Sequence, residues 1–154
     1  LGFAVSADDA WLGSRGLRTM AVRLKAHEAA ALKIGQWLKE QPQVGAVLHP
    51  ALPDCPGHDL WKPDFRGSSG LFSFELVGSD KAARSGFVDR LKQSGIGYSW
   101  GGFESLVLPF DPKRGRTGYV WPHEGFSFRL HIGLESPQDL IDCLKDGFDR
   151  LARP

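Results

Sequence analysis

Cysteine, methionine and tyrosine are scarce in this chain, with two, one and two copies among 154 residues. Cys55 and Cys143 show no metal-ligand spacing, and Cys143 falls on a predicted helix, so a reduced, cytoplasmic protein is expected. Charge of one sign is also lacking. Nineteen Lys and Arg against eighteen Asp and Glu leave a formal net charge of +1, which gives no electrostatic footprint for nucleic acid or an anionic membrane. No apolar run approaches the roughly 20 residues needed to span a bilayer. Five histidines, at 27, 49, 58, 123 and 131, include no i,i+4 pair, so no metal site is expected. Neither cysteine has a histidine and an orienting acid at a recognisable spacing, which leaves nucleophilic catalysis unsupported. Dinucleotide-type glycine fingerprints, internal repeats and long linkers are all missing. The sole methionine, Met20, sits inside a predicted helix and the sequence opens at Leu1, so we read the chain as a piece of a longer polypeptide.

What is present is an ordinary globular composition, 42% hydrophobic and 24% charged, enough for one domain with a sizeable core. Residues 8–40 carry helical spacing, with Leu17, Met20, Ala21, Leu24, Ala31 and Leu38 on one side and Pro42 as the stop. Val44–Leu48 reads as a short strand before a proline-rich loop, 49–57. Gly67-Ser-Ser-Gly70 precedes a strand, Leu71–Leu76, rather than a helix, so it reads as a turn and not a phosphate cradle. A helix at about 80–94 and a strand near Gly97–Trp100 follow. Residues 109–125 read as a loop, in which the basic run Lys113–Arg116 is solvated. The helix after residue 135 is well marked: Ser136 is placed to cap it, Pro137 sits in its first turn, and Asp139 favours its N-terminus. Its apolar stripe is Leu140, Leu144, Phe148 and Leu151. The sum is an α/β fold, a small and largely antiparallel sheet covered by helices on one face.

One strand holds an anomaly. In Phe126-Ser-Phe-Arg-Leu-His-Ile-Gly-Leu134, period two puts Phe126, Phe128, Leu130, Ile132 and Leu134 on one face and Ser127, Arg129, His131 and Gly133 on the other. A guanidinium on so apolar a strand either reaches water or meets an anion, and its fork matches a carboxylate through two parallel hydrogen bonds. The Arg129 face is expected to look outward, to water or to something not present in this chain.

Five motifs in order resemble the C-terminal part of the pyridoxal-phosphate (PLP) enzymes of cysteine and methionine metabolism. They are Ser14–Met20, Val47–Leu52, Gly67–Phe74, Tyr98–Ser105 and Phe128–Glu135, and the resemblance covers essentially all 154 residues. Trp100 resembles the cystathionine β-lyase branch of that family, since many γ-acting relatives have leucine there. The resemblance implies the small C-terminal domain of a fold-type I PLP enzyme, with residues 1–42 as a linking helix region and 43–154 as the sheet-and-helix domain. It implies a parent that cleaves cystathionine by α,β-elimination to homocysteine, pyruvate and ammonia, working as a homotetramer built from dimers. Arg129 and Ser99 would hold the substrate's α-carboxylate and Trp100 would line its pocket, while Tyr98, Glu104 and Ser105 read as structural. The family's cofactor lysine and its other PLP-binding groups belong to a larger upstream domain. None of their motifs is here, so this piece alone is expected to be inactive and to contribute no catalytic, cofactor-binding or metal-binding residue. A γ-acting synthase or lyase of the family, and a non-catalytic amino-acid-binding or interaction domain, remain as alternatives.

Overall fold

The computed structural model describes residues 2–78, 81–114, 117–118, 120–122 and 125–151, without the side chains of 81–83. His123 and Arg116 therefore lie outside the described residues. In chain order the elements are α1 (Ala7–Arg18), α2 (Met20–Lys39), β1 (Val44–Leu48), α3 (His58–Asp64), β2 (Leu71–Leu76), α4 (Lys81–Val88), β3 (Gly95–Ile96), β4 (Leu106–Phe110), β5 (Phe126–His131) and α5 (Pro137–Leu151).

The five strands lie in the order β1-β2-β5-β4-β3. Only the β3–β4 pairing is parallel, so the sheet is largely antiparallel as read. β5 is the middle strand, paired on both edges. Phe128 pairs with Phe74 and Pro109, and Leu130 with Phe72 and Val107. Phe72, Phe74, Val107, Phe128 and Leu130 face the helices and join Ile34 and Leu38 of α2, Phe87 of α4 and Leu140, Leu144 and Phe148 of α5 in one core. Four phenylalanines make its centre. Phe74 stacks on Phe128 at 5.3 Å and Phe87 on Phe148 at 5.2 Å, while Phe87 meets Phe128 edge-on at 5.2 Å.

Several elements differ from the sequence reading. The long helix of 8–40 is two helices broken at Thr19, where φ is −106° and ψ 2°. Arg23 Nη2 reaches back to donate to the Gly16 carbonyl at 2.8 Å, a group that the Thr19 amide and hydroxyl also reach at 3.3 Å. Only the second half of α2 enters the core. α1 buries nothing and is sustained locally by Ser6, whose hydroxyl accepts from the Asp9 amide, and by Asp8 and Asp9 in its first turn. The helix read at 80–94 stops at Val88, its last turn tightened by Arg90 N–H to Phe87 and Leu91 N–H to Val88 bonds. Tyr98–Trp100 is not a strand. The strand pair in that region is Gly95–Ile96 with Leu106–Phe110, and β4 was hidden by Pro109. β3 pairs only with Leu106 and Val107, so β4 is an edge from Leu108 onward, where a sheet accepts proline. The short helix α3 was also missed.

The second face of the sheet is not open. Ser127 and His131 are buried and Arg129 is half-buried. Glu75 Oε1 accepts from Trp121 Nε1 at 2.6 Å and from Ser127 Oγ at 2.9 Å, so a residue of the 111–125 segment covers the Glu75 end. The expectation that this face looks outward is corrected: the chain covers most of it with its own loops.

Candidate functional site

Arg129 stands in mid-strand on β5, flanked by Ser73 of β2 and Leu108 of β4. The segment Gly97–Glu104 crosses in front of it. Arg129 Nη2 donates to the Tyr98 carbonyl at 2.7 Å, with longer contacts to the carbonyls of Gly97 at 3.3 Å and Ser99 at 3.4 Å. One guanidinium nitrogen thus gathers three successive carbonyls, and no other nitrogen of Arg129 has a hydrogen-bond partner among the described residues. Ser99 and Trp100 follow directly on this segment. Both side chains are exposed, Trp100 to 59%. The three residues singled out from sequence are therefore neighbours along one strand-and-loop junction, with the guanidinium beside the backbone that carries the other two.

The loop is fastened at four further points. His131, on the same face as Arg129, meets the Gly101 amide and the Gly102 carbonyl, each 3.1 Å from Nε2. The Leu134 amide donates to the Phe103 carbonyl at 2.8 Å. Glu135 accepts from the amide and hydroxyl of Ser105, each at 2.7 Å. The Ser105 hydroxyl accepts in turn from the Gly133 amide at 2.9 Å. Ser105 is structural, as read, whereas Tyr98 and Glu104 point to solvent. The sequence reading assigned no role to His131 or Glu135. His131 was detectable as a second polar residue on the Arg129 face; nothing in the spacing of Glu135 marked it.

Behind this face, Ser68 of the Gly67–Gly70 turn donates its amide and hydroxyl to Glu28 Oε1, at 2.8 and 3.2 Å, tying the turn to α2. His27, one residue earlier, has Nδ1 2.6 Å from the Ile132 carbonyl and its ring 5.2 Å from that of His131. No group of His, Cys, Asp and Glu side chains among the described residues is arranged to hold a metal. Cys55 and Cys143 are both free and buried, and burial pushes the Cys55 thiol up, away from a reactive thiolate. Among the described residues no helix is long and apolar enough to cross a membrane.

A Schiff-base cofactor needs a lysine amine kept from water beside groups that hold a phosphate and a pyridine ring. Every lysine whose side chain is described, at 25, 33, 39, 62, 92, 113 and 145, is solvent-exposed, and Lys39 is paired with Asp54 at 2.6 Å. The described residues do not fit pyridoxal phosphate.

Residues 1–149 match the family described as "Cys/Met metabolism PLP-dependent enzyme". The chain is 46% identical over 160 residues to a protein of Haemophilus influenzae named cystathionine beta-lyase, a span of 99% of this chain and 39% of that protein. It is 41% identical over 152 residues to a protein of Wolbachia pipientis named L-alanine/L-glutamate racemase, covering 97% of this chain and 38% of that one. Among solved structures, cystathionine gamma synthase of Xanthomonas oryzae pv. oryzae, in complex with aminoacrylate and cysteine, superposes with a TM-score of 0.82 at 34% identity, over 98% of this chain and 40% of that one. The chain thus spans about two fifths of the length of these relatives. With a family match over residues 1–149 and a fold shared with a solved member, this chain belongs to the Cys/Met metabolism PLP-dependent enzyme family.

Proposed function

We propose that this chain is the substrate-carboxylate portion of a PLP-dependent carbon–sulfur lyase that cleaves cystathionine by α,β-elimination. The observation that carries the reading is Arg129. It is a half-buried guanidinium whose Nη2 is occupied by loop carbonyls while its other nitrogens have no partner among the described residues. Such a group offers charge-assisted donors on Nε and Nη1 to an α-carboxylate. Ser99, on the tethered loop, supplies a hydroxyl to the same carboxylate, and the exposed indole of Trp100 forms a wall for the substrate's side chain. Holding the carboxylate fixes the direction of the Cα–H bond, and positioning of this kind contributes several kcal/mol to a proton-transfer step. The cofactor, which supplies the electron sink for this chemistry, is held by a part of the polypeptide outside these 154 residues. The whole protein works in the cytoplasm as a homotetramer built from dimers. The two unpaired, buried thiols support a reducing compartment.

Products decide the reaction. Full-length enzyme given cystathionine is expected to release homocysteine, pyruvate and ammonia. Release of cysteine and 2-oxobutyrate instead contradicts β-elimination and favours a γ-acting enzyme, the second reading, which the likeness to the Xanthomonas synthase supports. Exchange of the Cα proton on alanine or glutamate with no cleavage of cystathionine contradicts both.

A further inference from the structure

His131 lies two residues beyond Arg129 on β5, and its side chain shares that face of the sheet. It is only 2% exposed. Its Nε2 is 3.1 Å from the Gly102 carbonyl oxygen, and the Gly101 amide nitrogen lies 3.1 Å from Nε2 and 3.3 Å from Nδ1. A neutral ring with its proton on Nε2 donates to Gly102, and the Gly101 N–H, close to both ring nitrogens, points at the electron-rich ring. An imidazolium carries a positive charge and no lone pair, so it repels the Gly101 N–H.

The turn so held follows Trp100 directly. Gly101 has φ +85°, a left-handed conformation that a side chain resists. On the other side of Ser99 and Trp100, the carbonyls of Gly97, Tyr98 and Ser99 are gathered by Arg129. The ring itself is supported from behind. His27 packs at 5.2 Å, and Gly70 leaves room that a Cβ would fill at 3.2 Å from the ring's Cε1 and Nδ1.

We propose that His131 is a positioning residue: in its neutral form it fixes the Gly101–Gly102 turn and so holds Ser99 and Trp100 in register with Arg129, which sets the affinity for the amino-acid substrate. The proposal rests on the carboxylate reading of Arg129. The charged and titratable groups around the ring are few. His27 faces it from α2, Arg129 lies along its own strand, and Glu135 sits beyond the strand end; the loop's Tyr98 and Glu104 are turned to solvent. Burial first, then the charges of His27 and Arg129, favour the neutral ring, while the Gly102 carbonyl and Glu135 oppose them.

The test uses the full-length enzyme with its cofactor and compares His131→Leu, His131→Gln and Arg129→Ala. His131→Leu removes both contacts at similar volume, and we expect the KM for cystathionine to rise about tenfold, the size of one net hydrogen bond, with kcat changed less. Gln keeps a donor and an acceptor and is expected to fall nearer the wild type. Amide exchange of the Trp100–Phe103 segment, corrected for intrinsic rates, is expected to quicken in His131→Leu and in the wild type as pH falls below the ordinary histidine range. Folded His131→Leu with unchanged KM, pH profile and exchange overturns the proposal. If that variant does not fold, wild-type exchange that ignores pH overturns it instead. If Arg129→Ala keeps its KM, the carboxylate reading fails, and the exchange arm still reports on the turn.

Discussion

At the scale of single residues, this fold buries polar groups that tolerate only one protonation state or one partner. His49 accepts from the Ala51 amide at Nδ1, 3.2 Å away, and its buried Nε2 has no partner among the described residues. His49 and His131 are both held below the ordinary histidine value near 6.5, in each case mainly by burial. The native state then binds fewer protons than the unfolded chain between their lowered values and about 6.5. Their stabilising contribution is full above that window and is lost as pH falls through it. Urea midpoints are therefore expected to be level from pH 8 to about 7 and to drop from about 6.5 to 5; a level midpoint across the lower interval contradicts the burial argument. Ser105 is the second case. Its hydroxyl joins the Glu135 carboxylate to the Gly133 amide, and Gly133 has no room for a side chain, because a Cβ would overlap the Phe103 carbonyl oxygen. Ser105→Ala strands a buried amide and is expected to cost about 1–3 kcal/mol, read from denaturant unfolding. Arg129 was legible at this scale because a cation on an apolar strand is conspicuous. Its partners were not, since they are backbone carbonyls and carry no signal in the sequence.

At the scale of elements, what could be read in advance followed from local chemistry. β2 ran from Leu71 to Leu76 as the alternation indicated, and α5 began where Ser136 and Pro137 placed it, with Ser136 Oγ accepting from the Asp139 amide at 3.4 Å. The elements that were missed depend on neighbours. β4 holds Pro109 because its outer edge is unpaired there, and the break at Thr19 is closed by Arg23 from the next helix. Close packing of α5 on α4 gives a prediction in which two effects compete. Gly147 lies in mid-helix, where alanine is favoured by about 1 kcal/mol. A Cβ there would stand 2.8 Å from two ring carbons of Phe87, which is fully buried among Phe74, Phe128 and Phe148 and has no free side to move into. Overpacking of this kind costs about 1–3 kcal/mol, so Gly147→Ala is expected to lower the thermal midpoint. A raised midpoint means that α4 yields more easily than its aromatic contacts suggest.

At the scale of the whole molecule, the core occupies one end and α1 with the first half of α2 stands apart from it. Phe3, Val5, Trp11, Leu17, Met20 and Leu24 are all exposed in this stretch, Phe3 to 87%. Apolar surface on this scale marks an interaction face, so these 154 residues alone are expected to self-associate with rising concentration and to bind an apolar dye. A strictly monomeric, dye-negative chain contradicts that. The same chain is expected to show no Schiff-base absorbance near about 420 nm after incubation with pyridoxal phosphate, since its described lysines are exposed. The most direct measurement is kcat/KM of the full-length enzyme on cystathionine for Arg129→Lys and Arg129→Ala, each paired with a thermal melt and a cofactor spectrum. Losing a charge-assisted contact to the carboxylate is expected to lower kcat/KM by about thirty- to a thousandfold in the alanine variant. The lysine variant should fall between it and the wild type, with fold and cofactor band intact in both. Near-full activity of Arg129→Ala contradicts the carboxylate role, and loss of the fold in both variants makes Arg129 a tether for the Gly97–Ser99 backbone and nothing more.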